Sequence, residues 1–406
     1  MFRERRLLLI YAIILIDVIV GSAVGPILPE FVKGLERPQL WLAFGTALFL
    51  GIQLFSAPLL GKLSDGYGRR PIFIISAIGT FLANCFLLPA RVGFYFVNRL
   101  SDGVTNGMYA TIRSAITDIS PKDQLFRNLG IEGAIISLGF VVGPAASGLL
   151  LTTFDIVEGE QAKTVALMAV LLSSINILLS WLMRETHANP PGVDKTALKT
   201  ELVQALNVHT LWNRLIGKDK QHPGLRQLVL MQLALTLSTG YYNYMVAFVS
   251  LGELQLDAKG ISYFFMFFGA LSIVISYVFY ARIADHINQV RAIFWFALLG
   301  VPTLIAYGLV GKSVVALYVV VAIDCITLSL IQGLIEGLMA QRTTDDDRGE
   351  VFGINQAMQG FASFVTTLVF GLLSLVDLRL PYLWFGVCMA AVAWQAWQFE
   401  RRPQPA

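Results

Sequence analysis

The chain has 406 residues, of which 56% are hydrophobic and only 14% are charged, and its formal net charge is +3. Soluble domains are about 45–50% apolar and about 25% charged, so a soluble protein could not bury this much apolar surface. The small net charge gives no sign of a nucleic-acid partner. Cys85, Cys325 and Cys388 lie far apart in apolar segments, so we expect no disulfide framework. The composition predicts an integral membrane protein.

Apolar stretches long enough to cross a bilayer recur along the whole chain. In the first half they predict helices at residues 7–29, 40–61, 71–90, 92–116, 128–152 and 163–183. In the second half they predict helices at residues 227–250, 258–281, 291–310, 313–340, 350–375 and 379–399. We therefore predict an all-α integral membrane protein with twelve transmembrane helices in two pseudo-symmetric six-helix bundles, residues 1–183 and 227–406.

Several charged residues fall inside these predicted helices, where a charge costs about 2.5–3.5 kcal/mol on a translocon scale. Asp17 lies near the middle of the first helix, and Asp324 lies midway along the tenth. Arg99 and Asp102 are three residues apart on the fourth helix, so they point to one face. Charges at these depths are expected to line a cavity or to have a partner.

A short charged turn, GKLSDGYGRRP, joins the second and third predicted helices. Its glycines allow a tight backbone, while Asp65, Arg69 and Arg70 supply charges that can lock neighbouring helices at the cytoplasmic face. A related segment, ARIADHINQVR, follows the eighth helix and places Asp285 where Asp65 stands. Two related halves around a central cavity would leave such a degenerate repeat.

Small residues recur on the fifth predicted helix at spacings of four or five residues, namely Gly139, Gly143, Pro144 and Gly148. Small side chains let helices approach closely, and a proline favours a kink. We expect this surface to contact the eighth helix, either as a sliding or sealing contact or as ordinary tight packing.

The polar stretch from Arg184 to Arg226 separates the two sets of helices. Its middle, LKTELVQALNVHTLWNRLIG, favours either an amphipathic helix on the membrane surface or a linker with a helical tendency. Most of the 30 Lys and Arg residues fall in this segment, at the termini or in loops on the same side. By the positive-inside rule, both termini and the 184–226 segment are predicted to be cytoplasmic.

Four segments, taken in order, resemble the motifs of one family. They are the first helix, with Asp17 followed by Gly25, Pro26 and Pro29; the turn from Gly61 to Arg70; NRLSDGVTNG, with Arg99, Gly103 and Gly107; and GFVVGPAASG, from Gly139 to Gly148. In these segments the chain resembles the drug:proton antiporters of the major facilitator superfamily, and the tetracycline efflux proteins in particular. Ala83 and Asn84 stand where those proteins have an acidic residue, so we do not expect tetracycline as the substrate.

The resemblance implies that Asp17 is a protonation or substrate site. A carboxyl group in a dry cavity favours its neutral form and can carry a proton. If Arg99 faces Asp17, the pair is either a proton switch or a static buried ion pair. Asp102 departs from the family, which usually has a small neutral residue there, and it either neutralises Arg99 or accepts a second proton.

The resemblance also implies that the charged turn is a cytoplasmic latch, comprising Gly61, Asp65, Gly68, Arg69, Arg70 and Asp118. We expect Asp65 to accept hydrogen bonds from the N-terminus of the eleventh helix, and Arg69 to pair with Asp118. Together these contacts would hold the two halves in the outward-open state. Gly66 replaces a basic residue that is common in the family.

Polar and aromatic residues within the helices are candidates for substrate binding. The candidates are Asp17, Gln53, Arg113, Tyr242, Phe265, Asp324, Gln332 and Gln356. Such a mixture suits an amphipathic organic molecule with a few polar handles. The alternative is that the aromatic residues face lipid or pack between helices.

We therefore interpret the chain as a proton-coupled exporter of small amphipathic organic compounds that works by alternating access in the cytoplasmic membrane of a bacterium. We expect a monomer in the lipid bilayer, with protons and a small molecule as partners and no cofactor, metal site or nucleic acid.

Two other interpretations remain open. One is a carrier of a natural metabolite or organic anion, for example a siderophore, in which Arg99 and Arg113 bind carboxylates. The other is a membrane sensor that does not transport. An enzyme is least expected, because no nucleophile–base pair or cluster of metal ligands stands out.

Overall fold

The computed structural model describes residues 2–121, 124–187, 190, 192, 207–328 and 330–401. These residues form seventeen α-helices and two short 3₁₀ helices, with no β-strand among them. The first half contains α1 (Phe2–Val24), α2 (Leu28–Val32), α3 (Pro38–Tyr67), α4 (Arg69–Cys85), α5 (Val92–Thr105), α6 (Met108–Ile119), α7 (Leu125–Thr153) and α8 (Glu158–Leu182). The second half contains α9 (Val208–Gln221), α10 (Leu225–Thr239), α11 (Tyr241–Leu251), α12 (Ala258–Arg282), α13 (Gln289–Gly308), α14 (Val314–Thr327), α15 (Ile331–Arg342), α16 (Asp345–Leu373) and α17 (Leu380–Glu400).

Within the described ranges, eight helical segments are long and apolar enough to cross a membrane by themselves. The other four predicted helices correspond to α4, to the pair α5 and α6, to the pair α10 and α11, and to α17. Helices suit this environment because they satisfy their backbone hydrogen bonds internally.

Four of the predicted helices are interrupted in the structure. The first passes through a 3₁₀ turn, Gly25–Ile27, before α2, because Pro26 and Pro29 each lack a backbone N–H. The fourth breaks at Asn106 and Gly107, the seventh breaks at Gly240, and the tenth breaks between α14 and α15.

The third predicted helix differs at both ends. It begins at Arg69 rather than Pro71, and it ends at Cys85 rather than Ala90. Pro89 explains the early end, since the residue before a proline disfavours helical geometry. Ala90 itself has a φ of 51°.

The chain forms two compact units. The first comprises the described parts of residues 1–203 and 256–269, and the second those of residues 204–255 and 270–406. The first unit has an apolar core in which α1 packs on α6 and α7; it includes Ile10, Ile13, Ile14, Val18, Ile112 and Ile116. In the second unit, α13 packs along α17. The domain limits predicted from the sequence, 1–183 and 227–406, stay a prediction.

The predicted amphipathic helix in the 184–226 segment lies partly outside the described residues, because nothing is described between 193 and 206. The described part is α9, where the Asn207 side chain accepts from the Thr210 N–H over 3.2 Å. Leu211 and Leu215 are buried, and α9 packs on α10 and α16 of the second unit. The side chain of Asp285 also lies outside the described residues.

Candidate functional site

Asp17 lies on α1 and is almost completely buried, with 8% of its surface exposed. Asn176 of α8 places Nδ2 3.5 Å from Asp17 Oδ1, which is a long contact for a hydrogen bond. Among the described residues, no Lys, Arg or His forms an ion pair with Asp17. The Asp102 carboxyl is close enough for its charge to act on Asp17. The arrangement favours a neutral Asp17, because an ionised carboxylate without a countercharge is very unfavourable in such surroundings.

Arg99 is held by its own helix and by α3. Its Nε donates to Asn98 Oδ1 over 2.8 Å, and its Nη2 lies 3.9 Å from Asp102 Oδ2. The guanidinium also lies 5.5 Å from the centre of the Phe49 ring. The expected contact between Arg99 and Asp17 is therefore not present within the described part of the chain. The physical reason is the spacing of three residues, which places Asp102 within reach of Arg99 on one helix face.

A polar chain extends from Asp102 across the break in the fourth predicted helix. The Asn106 backbone N–H donates to the Asp102 carbonyl over 2.8 Å, and Gln53 of α3 donates Nε2 to Asn106 Oδ1 over 3.0 Å. Glycines allow the close approach of these helices: a Cβ at Gly107 would lie 2.7 Å from the Ala57 Cα. Gln53 was predicted to bind substrate, and in the structure its amide joins α3 to this break.

A second buried acid in the first unit is Glu132 of α7, which is not among the predicted site residues. Its carboxylate lies 3.3 Å from Nε of Arg113 on α6. The Glu132 side chain is only 2% exposed, whereas that of Arg113 is 54% exposed. Arg113 therefore neutralises a buried charge while part of its guanidinium-bearing side chain stays accessible.

The charged turn between α3 and α4 is organised by Arg69. Its side chain is 6% exposed, and it contacts Asp65, Ser64 and Asp118 at the same time. Nε lies 3.0 Å from Asp118 Oδ2, and Nη1 donates to Ser64 Oγ over 2.7 Å and to Asp65. Arg69 thus joins the ends of α3 and α6 at the start of α4. Gly61 lies on α3 one turn before this network, and its carbonyl accepts from Ser64 Oγ.

One residue of this network has no counterpart among the predicted site residues. Glu185 follows α8 and accepts backbone N–H groups of Arg69 and Arg70 over 2.8 and 3.0 Å. Its partners are more than a hundred positions away in the sequence, so no local pattern indicates the contact.

The small residues of α7 contact a different helix from the one expected. A Cβ at Gly143 would lie 2.0 Å from Ser22 Oγ and 2.6 Å from the Ile19 carbonyl oxygen, both on α1. Gly139 meets Val18 of α1, and its carbonyl accepts from Ser22 Oγ over 3.0 Å. The expected contact with the eighth helix, α12, is therefore wrong for these two glycines.

The end of α7 does reach α12. A Cβ at Gly148 would lie 3.2 Å from Cβ of Ser262. The hydroxyl groups of Ser147 and Ser262 form a hydrogen bond of 3.0 Å. Pro144 lies inside α7, which continues through it as a helix. The small residues of α7 thus contact two helices. Gly139 and Gly143 lie against α1, whereas Ser147 and Gly148 lie against α12.

In the second unit, the principal buried acid is Asp324 of α14. It is fully buried, and its Oδ2 accepts hydrogen bonds from Tyr241 Oη over 2.5 Å and from Tyr307 Oη over 2.6 Å. Its other oxygen, Oδ1, has no hydrogen-bond partner among the described residues. The Tyr242 ring lies 4.2 Å from that of Tyr241. Tyrosines on α11 and α13 thus contact Asp324 from two helices. Tyr307 was not among the predicted site residues, because no local pattern links it to Asp324.

The remaining substrate candidates of the second half lie on three different helices, α12, α15 and α16. Gln332 and Gln356 are exposed, and Gln332 donates to Glu336 within its own helix over 3.0 Å. Phe265, in the described part of the first unit, packs edge-to-face on Phe264. The assignment of these residues to substrate stays a prediction.

Residues 8–366 match the Major Facilitator Superfamily. The chain belongs to the Major Facilitator Superfamily. The resemblance to tetracycline efflux proteins is confirmed, because the tetracycline resistance protein, class H, of Pasteurella multocida is 31% identical over 213 residues, 49% of this chain and 51% of that protein. The chain spans about half the length of the tetracycline resistance proteins that it matches.

A second relative matches this major facilitator protein over nearly its whole length. The quinolone resistance protein NorA of Staphylococcus aureus (strain MSSA476) is 24% identical over 394 residues, which are 95% of this chain and 94% of NorA.

Solved structures show the same fold. The human organic anion transporter MFSD10 aligns with a TM-score of 0.68 at 16% identity, covering 97% of this chain and 99% of MFSD10. An auto inhibited POT family peptide transporter aligns with a TM-score of 0.73 at 12% identity, covering 99% and 98% of the two chains. The predicted all-α, twelve-helix membrane fold is confirmed, and so is the expectation that the chain is not an enzyme. The chain is a multi-pass membrane protein.

Proposed function

We propose that this major facilitator protein is a secondary transporter that exports small amphipathic organic compounds in exchange for protons, by alternating access. The observation that carries the proposal is Asp17: it is buried on α1, near a second acid and without a basic partner among the described residues. Its tetracycline- and quinolone-resistance relatives support export of an organic compound.

Asp17 is the proposed proton carrier. Its neutral form is favoured in the buried state, and contact with water would allow the proton to leave and the carboxylate to attract a cationic group. Arg99 is engaged by Asn98 and Asp102, so it does not neutralise Asp17 directly. In this proposal Asp102 competes with Asp17 for Arg99, and movement of Arg99 from one acid to the other would accompany proton release.

The turn and the small-residue helix have proposed roles in the transport cycle. Arg69, with Asp65 and Asp118, is proposed as the core of a cytoplasmic latch that stabilises the outward-open state; Gly61, Gly68 and Arg70 shape it. The glycines of α7 are proposed to let α1 move with α7 without opening a leak for protons. Support comes from the buried guanidinium of Arg69 and from the direct backbone approach at Gly143.

The proposed setting is the cytoplasmic membrane of a bacterium, with both termini cytoplasmic and the protein acting as a monomer. The distribution of Lys and Arg residues supports this orientation. Protons and a small organic molecule are the proposed partners in the bilayer.

A second candidate function is transport of an organic anion. It is supported by Arg113, whose side chain is 54% exposed although it pairs with the buried Glu132. An accessible arginine can bind a carboxylate in bidentate geometry.

Purified protein in liposomes that contain a pH-sensitive dye tests both candidates. A proton gradient is imposed, and cationic, neutral and anionic compounds are added to wild type and to Asp17→Asn. Asp155→Asn is the matched control, because Asp155 is exposed after α7 and has a φ of 47°, which asparagine tolerates. Proton flux triggered by a cationic or neutral compound, lost in Asp17→Asn alone, supports the proposal.

Other results have distinct meanings. Flux triggered only by anions, and reduced by Arg113→Gln, favours the second candidate. Transport of a compound at a rate that depends neither on the proton gradient nor on Asp17→Asn contradicts proton coupling. The protein would then be a facilitator.

A further inference from the structure

The segment that follows α8 is attached to the charged turn through one carboxylate. Glu185 Oε1 accepts the backbone N–H of Arg69 over 2.8 Å, and Oε2 accepts that of Arg70 over 3.0 Å. Oε1 also accepts the N–H groups of Thr186 over 2.9 Å and His187 over 3.0 Å. Arg69 and Arg70 are the first residues of α4, whose N–H groups have no acceptor within the helix. Glu185 therefore caps α4 from a distant part of the chain.

Gly68 provides an independent sign that this contact shapes the turn. It connects α3 to α4 with a φ of 101°, a conformation that other residues rarely adopt. A Cβ at this position would lie 2.4 Å from Glu185 Oε2. The glycine thus satisfies two requirements at once, the backbone geometry of the turn and the space that the carboxylate occupies.

Side chains reinforce the same attachment. Arg70 donates Nη2 to the Trp181 carbonyl over 2.9 Å, at the end of α8. Thr186 Oγ1 contacts Asp118 Oδ2 over 3.3 Å, on the carboxylate that also accepts from Arg69. The residues that follow α8 therefore hold both the start of α4 and the acid that pairs with Arg69.

The charge of Glu185 is favoured in this position. Partial burial by itself would raise the pKa of Glu185, but the backbone N–H groups of His187, Arg69, Arg70 and Thr186 outweigh it and hold the pKa below its ordinary value. The positive end of the α4 dipole acts in the same direction. Because the pKa is lowered in the folded state, the carboxylate stabilises the turn at neutral pH, and this contribution is lost only as the pH falls into the acidic range.

We propose that Glu185 is a positioning residue for the cytoplasmic turn: it fixes the first turn of α4 so that Arg69 reaches Asp65 and Asp118 together. The functional meaning rests on the latch role proposed above. The attachment itself does not, because it concerns backbone groups within the first unit. Glu185 also makes the beginning of the 184–226 segment part of the turn.

Hydrogen–deuterium exchange of the purified full chain, read by mass spectrometry, tests the proposal. In Glu185→Gln, one acceptor oxygen is replaced by an amide that cannot accept, so we expect peptides covering residues 66–72 to exchange about tenfold faster or more. Glu185→Asp keeps the charge and should restore part of the protection. Glu160→Gln is the matched control, since Glu160 is an exposed acid in the first turn of α8. Unchanged exchange at residues 66–72 in Glu185→Gln overturns the proposal.

A double-substitution measurement separates positioning from general stability. Gly68→Ala should lower the melting temperature less in a Glu185→Ala background than in wild type, because the carboxylate that the methyl group would meet is gone. Additive losses overturn the proposal. If Gly68→Ala does not fold, the exchange measurement on Glu185→Gln decides alone. Faster exchange with normal transport keeps the positioning role and removes the latch, so the two failures are distinguishable.

Discussion

The Tyr307 hydroxyl on α13 donates to Oδ2 of Asp324 on α14 over 2.6 Å, beside a second hydroxyl from Tyr241. One oxygen of this carboxyl thus satisfies two buried tyrosine hydroxyls. We expect Asp324→Leu to be less stable than Asp324→Asn by about 1–3 kcal/mol. Leucine leaves two buried hydroxyls without an acceptor, whereas the asparagine amide oxygen has two lone pairs and can accept from both.

Thermal unfolding in detergent micelles measures this difference. Tyr307→Phe in the Asp324→Leu background should recover stability, since it removes one unpaired hydroxyl. Equal melting temperatures for Asp324→Leu and Asp324→Asn would contradict the role of Asp324 as the shared acceptor.

Arg69→Lys should destabilise the turn although it keeps the charge. A lysine is a compact point charge and cannot reproduce the planar fork that contacts Ser64, Asp65 and Asp118 together. We expect a loss of about 1–3 kcal/mol, seen as a lower melting temperature. The control is Arg91→Lys, at an exposed arginine just before α5, which should be neutral. Indistinguishable melting temperatures for the two variants would argue against a shared network.

Gly143→Ala should force α1 and α7 apart. The added methyl group would meet the Ile19 carbonyl oxygen at 2.6 Å, and backbone cannot rotate away as the Ser22 hydroxyl can. Overpacking of this kind costs about 1–3 kcal/mol. Gly133→Ala lies on the same helix with nothing within 4 Å of its Cβ, and alanine there should be neutral or stabilise the helix by up to about 1 kcal/mol. The melting temperatures of the two variants, measured by thermal unfolding, test this prediction. Equal changes in melting temperature would contradict close packing of α1 on α7 at Gly143.

The attachment of α9 to α16 should persist over a wide range of pH. Hydrogen bonds from Lys218 and His222 lower the pKa of Asp347 from its ordinary value of 3.8 to about 2. Because this pKa is lowered in the folded state, the contact is fully present above the ordinary value and is lost as the pH falls towards 2.

Lys218→Gln should release α9 already at neutral pH, because Lys218 contacts both Asp347 and Glu350. Chymotrypsin cleavage near Trp212 measures the release, and Lys220→Gln, at an exposed lysine two positions away, is the control. Equal resistance to cleavage in Lys218→Gln and Lys220→Gln would contradict this role of Lys218. Burial of Leu211 and Leu215 would then be what holds α9 in place.

The sequence predicted the features that depend on composition and local spacing. Membrane helices are evident because about twenty consecutive apolar residues have few alternatives in a bilayer. The pairing of Arg99 with Asp102 follows from a spacing of three residues, whereas the sequence left open whether Arg99 also faces Asp17. The break at Gly107 lies where α3 approaches closely, and local sequence does not reveal that approach.

Contacts between distant segments were the hardest to predict. Glu185 and Arg69 are separated by more than a hundred residues, as are Ser22 and Gly139. The glycines of α7 indicated close helix packing, but not which helix would occupy the space. Small residues on one helix indicate that another helix can pack closely against it. Which helix does so is decided by the tertiary fold.

The contacts between α1 and α7 occur at both ends of their shared length. Tyr11 donates to the Asn128 carbonyl over 3.0 Å near one end, and Ser22 donates to the Gly139 carbonyl over 3.0 Å near the other. Asp17 lies on α1 between these two hydrogen bonds. Since α1 is bonded to α7 on both sides of Asp17, we expect any tilt of α1 that displaces this acid to displace α7 as well.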